Sequence, residues 1–291
     1  MLGDEIGRRT LVADGAMGTQ LQLAGLPIGH GSERWNLEHP EAVEAIHRAY
    51  VAAGCDIILA NSFGAHRWAL ASAGLGGRLT QINRVAVEIA RRAAGPGRYV
   101  LGDVGPSGQL LEPLGPLTAG DLRAEVATRL DALLASGVDG IICETMTDIE
   151  EAVICVEAAV QAGAPVVIAS MAFDRTPRGA YRTMMGVAPE VAARRLRDAG
   201  ASVVGANCGV RLTVSDFVEL TALLREASGL PVMIQPNAGQ PVLEGGRAVY
   251  DLSPEAFAQD MRIVVAAGTA MVGGCCGTSP AHLAALCAVL R

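Results

Sequence analysis

No run of Lys or Arg long enough to follow a phosphate backbone occurs in the 291 residues, and a net charge of -7 gives no field that would attract one. Nucleic acid is therefore not an expected partner. The chain also lacks any apolar stretch approaching the ~20 residues that cross a bilayer. Its opening, MLGDEIGRRT, holds no signal-peptide core. A cytoplasmic protein without a membrane partner is the expectation. Absent too are low-complexity tracts, long Pro/Ser linkers and CxxC knuckles, so no domain boundary is expected within residues 1–291.

What the chain has in quantity is apolar material, with 51% hydrophobic and 18% charged residues, enough for a large core and unlike a disordered chain. Eight short apolar runs alternate with longer segments of helical period. The runs are residues 11–15, 55–64, 99–106, 137–146, 164–173, 201–208, 231–237 and 270–276. Several are almost uninterrupted, as strands buried on both faces should be. Between them, segments such as PEAVEAIHRAYVAAG, DLRAEVATRLDALLASG and SPEAFAQDMRIVVAAG read as helices, with Asp121 and Ser253 at N-cap positions. Eight strands alternating with eight helices predict an α/β fold, a single-domain (β/α)8 TIM barrel. Residues 21–38 and 174–186 read as longer loops able to cover a site.

A barrel of this kind works at the face where its strands end. Polar residues recur there: Asp14, Asn61, Asp103, Glu144, Asn207, Gln235 and Asn237. Any one alone reads as a loop cap; their recurrence on one face reads as a site. The seven cysteines divide by the same criterion. Cys55, Cys143, Cys155 and Cys287 fall within strands or on apolar helix faces, where a cysteine is a small buried hydrophobe. Cys208, Cys275 and Cys276 fall at the ends of strands six and eight, close together across a small barrel mouth. Gly273, Gly274 and Gly277 beside the pair remove side-chain bulk and free the backbone to turn both sulfurs to one ion. Three thiolates suit Zn2+, which is tetrahedral and in catalytic sites keeps one position open. Such a site admits a substrate thiol, lowers its pKa from ~8.5 and leaves the sulfur electron-rich enough to attack a methyl donor. Structural zinc normally uses four ligands.

Gly205-Ala206-Asn207-Cys208, Gly273-Gly274-Cys275-Cys276-Gly277-Thr278 and Asp14-Gly15-Ala16-Met17-Gly18-Thr19 together resemble the homocysteine S-methyltransferase family over nearly the whole chain. Asn61-Ser62-Phe63-Gly64-Ala65, Gly105-Pro106-Ser107-Gly108 and Gln235-Pro236-Asn237-Ala238-Gly239 look most like the homocysteine-binding module of cobalamin-dependent methionine synthase. The resemblance implies a cytoplasmic zinc enzyme that methylates homocysteine to methionine. It implies that Asp14 and Glu144 receive the amino group and that backbone amides at Gly15, Ala16 and Met17 receive the carboxylate, with Asn207 among the substrate contacts. Charge chemistry agrees, since carboxylates complement an ammonium and peptide N–H groups a carboxylate.

Folate, cobalamin and reactivation modules are not in this sequence, so the methyl is expected from a small molecule or from methylcobalamin carried by a separate corrinoid protein. S-methylmethionine and betaine are the alternative donors. Betaine fits less well, because a quaternary ammonium is usually held by aromatic faces and aromatics are only 3% of the chain. Trp35, Phe63, Trp68 and Tyr181 are the candidates for such a cage. His66 follows strand two and reads as a surface or supporting residue, not a base. A non-catalytic zinc-thiol binding protein is the alternative outside enzymes.

Overall fold

The computed structural model describes residues 1–244 and 247–291. Eight parallel strands form the central sheet: β1 Leu11–Val12, β2 Ile57–Leu59, β3 Tyr99–Val104, β4 Gly140–Met146, β5 Val167–Met171, β6 Val203–Cys208, β7 Val232–Pro236 and β8 Met271–Val272. Neighbours in sequence are neighbours in the sheet, β8 pairs with β1, and a bridge from Ala13 to Ile57 joins β1 to β2. The sheet is thus a closed (β/α)8 barrel. One helix packs outside after each strand: α1 Pro40–Ala53, α2 Leu79–Ala94, α3 Ala119–Ala135, α4 Ile149–Gln161, α5 Pro189–Asp198, α6 Val214–Ser228, α7 Pro254–Ala266 and α8 Pro280–Leu290.

Local chemistry starts and stops these helices. Ala86, Val87, Ala90 and Ala94 are buried on α2, a stripe at helical spacing that shares one cluster with the sheet's outward side chains. Ser253 caps α7 as expected, its side chain accepting from Ala256 N–H. Asp121 does not cap α3. The helix begins earlier, and Thr118 accepts from the Asp121 N–H, because a hydroxyl three residues ahead reaches that orphan amide first. Gly54 ends α1 at φ 105°, a left-handed turn that leads directly into the buried Cys55.

Strand alternation sorts the apolar residues into two shells. Leu11, Ile57, Leu101, Ile142, Ile168, Val203, Met233 and Met271 fill the barrel interior. Val12, Ile58, Val100, Ile141, Val204 and Val232 point outward to the helices. Cys55, Cys143, Cys155 and Cys287 belong to the outer shell and are at most 4% exposed, as small hydrophobes. Counting in twos up each strand from the interior shell gives Asp103 above Leu101, Glu144 above Ile142, Ser170 above Ile168, Asn207 above Val203 and Gln235 above Met233. The apolar plug therefore carries a polar layer at the strand C-termini, directly under the mouth.

β8 is shorter than the run at 270–276 suggests. Its hydrogen bonding nonetheless continues, with Gly273 N–H donating to Ile234 and Cys275 N–H to Pro236. The two expected covering loops differ in outcome. Within 21–38, a helix forms at Trp35–Glu38, and Ser32 lines the barrel mouth. The 174–186 segment instead folds into a small hairpin, Asp174–Arg175 with Tyr181–Arg182, whose Tyr181 hydroxyl donates to Asp216 and Glu219 on α6. That engagement takes Tyr181 out of any cage. Trp35 is buried with Leu21, Val43 and Ile89. Among the described residues no helix is long and apolar enough to cross a membrane.

Candidate metal and substrate site

At the mouth lies a cavity of about 240 Å³ lined by residues from most strand ends. Cys208, Cys275 and Cys276 occupy the wall built by β6 and β8. Asp14, Asp103 and Glu144 line the same cavity from β1, β3 and β4. The polar layer has been divided into a sulfur side and a carboxylate side.

The three sulfurs lie within 4.8 Å of one another, and Cys275 Sγ stands 4.0 Å from Cys276 Sγ. A tetrahedral zinc with ~2.3 Å bonds to sulfur needs neighbouring sulfurs ~3.8 Å apart, so a small contraction completes the cluster. Among the described residues it is the one group of His, Cys, Asp or Glu with three ligand atoms so close together. All three are free thiols. The donor set fits a thiophilic ion.

Two backbone devices aim the sulfurs. Alternation along β6 puts Asn207 inward and would turn Cys208 outward, yet Cys208 adopts φ 60° and swings into the cluster. Its thiol is held well below the usual range because Cys275 and then Cys276 donate toward it, helped by the Asn237 amide and the Gly209 N–H. On the other side, Gly277 has φ 79° and lies flat against Tyr250, where a Cβ would overlap the ring. The Tyr250 hydroxyl meets Cys276, and burial together with the sulfur's charge raises its pKa.

Asn207 is a brace. Its Oδ1 accepts from Thr145 N–H at 3.0 Å and from the Ser170 hydroxyl at 2.8 Å. Its Nδ2 donates to Thr145 Oγ1 at 2.6 Å and reaches Cys275 Sγ at 3.9 Å. Expected among the substrate contacts, Asn207 instead stands behind Thr145 and Cys275, with its polar atoms already engaged. It also fixes Thr145 at φ 60°, and so the residue after Glu144. Asn207→Ala should weaken zinc binding about 10- to 100-fold, the usual cost of losing a partner of a metal ligand. Competition against a chromophoric chelator measures it.

On the carboxylate wall, Asp14 is 3% exposed and its Oδ2 accepts from Leu59 N–H at 3.0 Å. Burial, opposed by that bond and reinforced by Glu144, raises its pKa well above the usual range. Burial first, and the Cys208 charge second, push Glu144 up to about 7. Gly15, Ala16 and Met17 line the same cavity, although the Ala16 N–H is engaged with Thr278 Oγ1 at 3.1 Å. The first-turn amides of the short Met17–Leu23 helix lie next to it. His66 is 7% exposed and caps the Arg67–Ser72 helix by accepting from Ala69 N–H, a structural task.

Tyr250, Thr145 and Ser170 had no sequence signal. Tyr250 reaches the cysteines from a hairpin strand, Arg247–Tyr250, and only the bare Gly277 beneath it records the contact.

The architecture defines a barrel whose mouth brings together a three-cysteine cluster able to hold a metal ion and an acid-lined cavity. The homocysteine S-methyltransferase family matches residues 11–290. Methionine synthase of Mycobacterium tuberculosis is 32% identical over 96% of this chain and 24% of its own length, and that of Mycobacterium leprae 30% identical with the same coverage. The chain thus spans about a quarter of the curated relatives it matches. A crystal structure of the homocysteine methyltransferase MmuM from Escherichia coli, in metallated form, superposes with a TM-score of 0.77 at 26% identity, covering 96% of each chain. The chain belongs to the homocysteine S-methyltransferase family.

Proposed function

We propose that this barrel transfers a methyl group to the sulfur of homocysteine, giving methionine, with Cys208, Cys275 and Cys276 as the ligands of a zinc ion. The observation that carries the reading is a cluster of three sulfurs lining the same small cavity as three carboxylates. Homocysteine has a thiol at one end and an ammonium at the other, separated by a short methylene chain. Bound zinc supplies a Lewis acid that lowers the thiol pKa and keeps the sulfur nucleophilic. Asp14 and Glu144 receive the ammonium, and backbone amides near Met17 receive the carboxylate, which fixes the sulfur at the metal end. The proton of the thiol leaves to solvent on binding. The sulfur lone pair then forms the S–CH3 bond while the donor keeps the electron pair of the bond that breaks.

The donor is read as a methylated corrinoid protein or a small electrophilic methyl compound. The M. tuberculosis relative, a methionine synthase four times this chain's length, supports the first reading. The end-to-end match to a homocysteine methyltransferase supports the second. Methionine formation is assayed with zinc-loaded protein, homocysteine and, in turn, a methylated corrinoid protein, S-methylmethionine and betaine. Turnover with one of these is the expected result. Homocysteine binding with turnover from none would replace the enzyme by a zinc-thiol binding protein.

A further inference from the structure

We propose that Asp103 is a third ligand of the substrate ammonium, so that Asp14, Asp103 and Glu144 each accept one of its three N–H groups. This rests on the homocysteine reading above and extends it by a residue and by a basis for selecting α-amino thiols.

Asp103 is the last residue but one of β3, which lies between the strands that lead to Asp14 and Glu144 in barrel order. Its backbone is clamped, with Ser62 Oγ donating to Asp103 O at 2.8 Å and accepting from Asp103 N–H at 3.0 Å. Its side chain lines the cavity and is 5% exposed. Asp103 Oδ1 is buried without any hydrogen-bond partner. A buried carboxylate oxygen with no donor is costly, and the cost persists where a ligand repays it. Asp14 differs, since the Leu59 N–H already serves one of its oxygens. Glu33, the next acid along, is served by Gly64 N–H at 2.7 Å and by the Ser32 hydroxyl. Asp103 Oδ1 is thus a fully buried acceptor of this wall that nothing serves.

The missing partner is a compact donor of several N–H groups. A metal ion does not suit the wall, because among the described residues only the cysteines bring three ligand atoms within 4.8 Å of one another. Burial first, and the charges of Glu144 and Asp14 after it, hold the Asp103 carboxyl well above the usual carboxylate range. An ammonium with N···O contacts of ~2.9 Å needs its acceptors ~4.7 Å apart, so its three bonds require these side chains to rotate slightly inward around it. It carries three donors and one positive charge, and its chain already leads across the cavity to the cysteines.

The test is isothermal titration of zinc-loaded protein with L-homocysteine and with 4-mercaptobutyrate, which keeps the thiol and carboxylate but lacks the amino group. Asp103→Asn should lose about 10- to 100-fold in homocysteine affinity, the range of a hydrogen bond to a charged group. Its affinity for 4-mercaptobutyrate should not fall, and its zinc content should match that of the unaltered protein. The ligand-free variant should melt at about the same temperature, because Asp103 Oδ1 has no hydrogen-bond partner there to lose; a merely structural Asp103 would give a lower one. Retention of the original preference for homocysteine, or an equal loss for both thiols, overturns the inference. Uptake of neither thiol by the unaltered protein overturns the homocysteine reading itself, and the inference with it.

Discussion

Cys208→Ala should strip the protein of its metal and of methyl transfer while the barrel stays folded. Two thiolates remain in the variant, among the described residues no Asp, Glu or His joins them within the 4.8 Å that gathers the three sulfurs, and the neutral Asn207 amide is already engaged with Thr145 and Ser170. Zinc measured after dialysis against a mild chelator should fall from about one ion per chain to nearly none, and methionine formation by more than ~10³-fold, well beyond the loss from a supporting residue. The fold has no comparable stake. Cys208 lies at the rim above the polar layer, and the shell of Leu11, Leu101, Ile142 and Met233 beneath it contains none of the three cysteines. Cys208→Gly makes a sharper companion. Glycine is suited to the φ of 60° that cysteine adopts there under strain, so this variant should lose the metal equally yet melt no lower than the Ala variant. Circular dichroism and thermal melting give the folding readout. Unfolding of both variants would mean that the zinc is structural.

The strain at Cys208 also marks where sequence reading ran out. Barrel strands and the two classes of cysteine are legible because period-two burial and Gly-closed helices are local signals. Asp103, Glu144 and Gln235 follow from the same count, each two residues beyond an interior apolar side chain. Cys208 breaks the count. It lies on the outward parity of β6 and reaches the site through a backbone turn that no neighbouring residue type announces. Asn207 presents the converse case, inward by parity yet engaged with Thr145, Ser170 and Cys275, partners far away in sequence. Its type and place suggested a substrate ligand; only the hydrogen bonds reveal a brace. Tyr250 is least legible of all, since its hairpin strand approaches from outside the barrel.

Glu144→Gln should weaken homocysteine binding about 30- to 1,000-fold, the range for truncating one side of a buried hydrogen-bonded charge pair. The amide keeps the shape and an acceptor oxygen but loses the charge, and its NH2 places a donor against an ammonium that needs acceptors. Zinc should be retained, since Glu144 acts on the cluster only through its field on Cys208. The pH dependence separates this role from a packing role. In the free protein burial holds Glu144 neutral until about pH 7. An ammonium prefers the carboxylate, so part of the binding energy below that pH is spent on deprotonation, and affinity rises as pH rises through about 7. Loss of the substrate thiol proton adds a rise of the same sign. The Gln variant loses the Glu144 component and keeps those of the thiol, Asp14 and Asp103, so its affinity should climb less steeply between pH 6 and 8 than that of the unaltered protein. Equal slopes with equal affinities would remove Glu144 from the ammonium site. Equal slopes with weaker binding would leave it a neutral acceptor, and the negative charge that holds the ammonium would then come from Asp14 and Asp103.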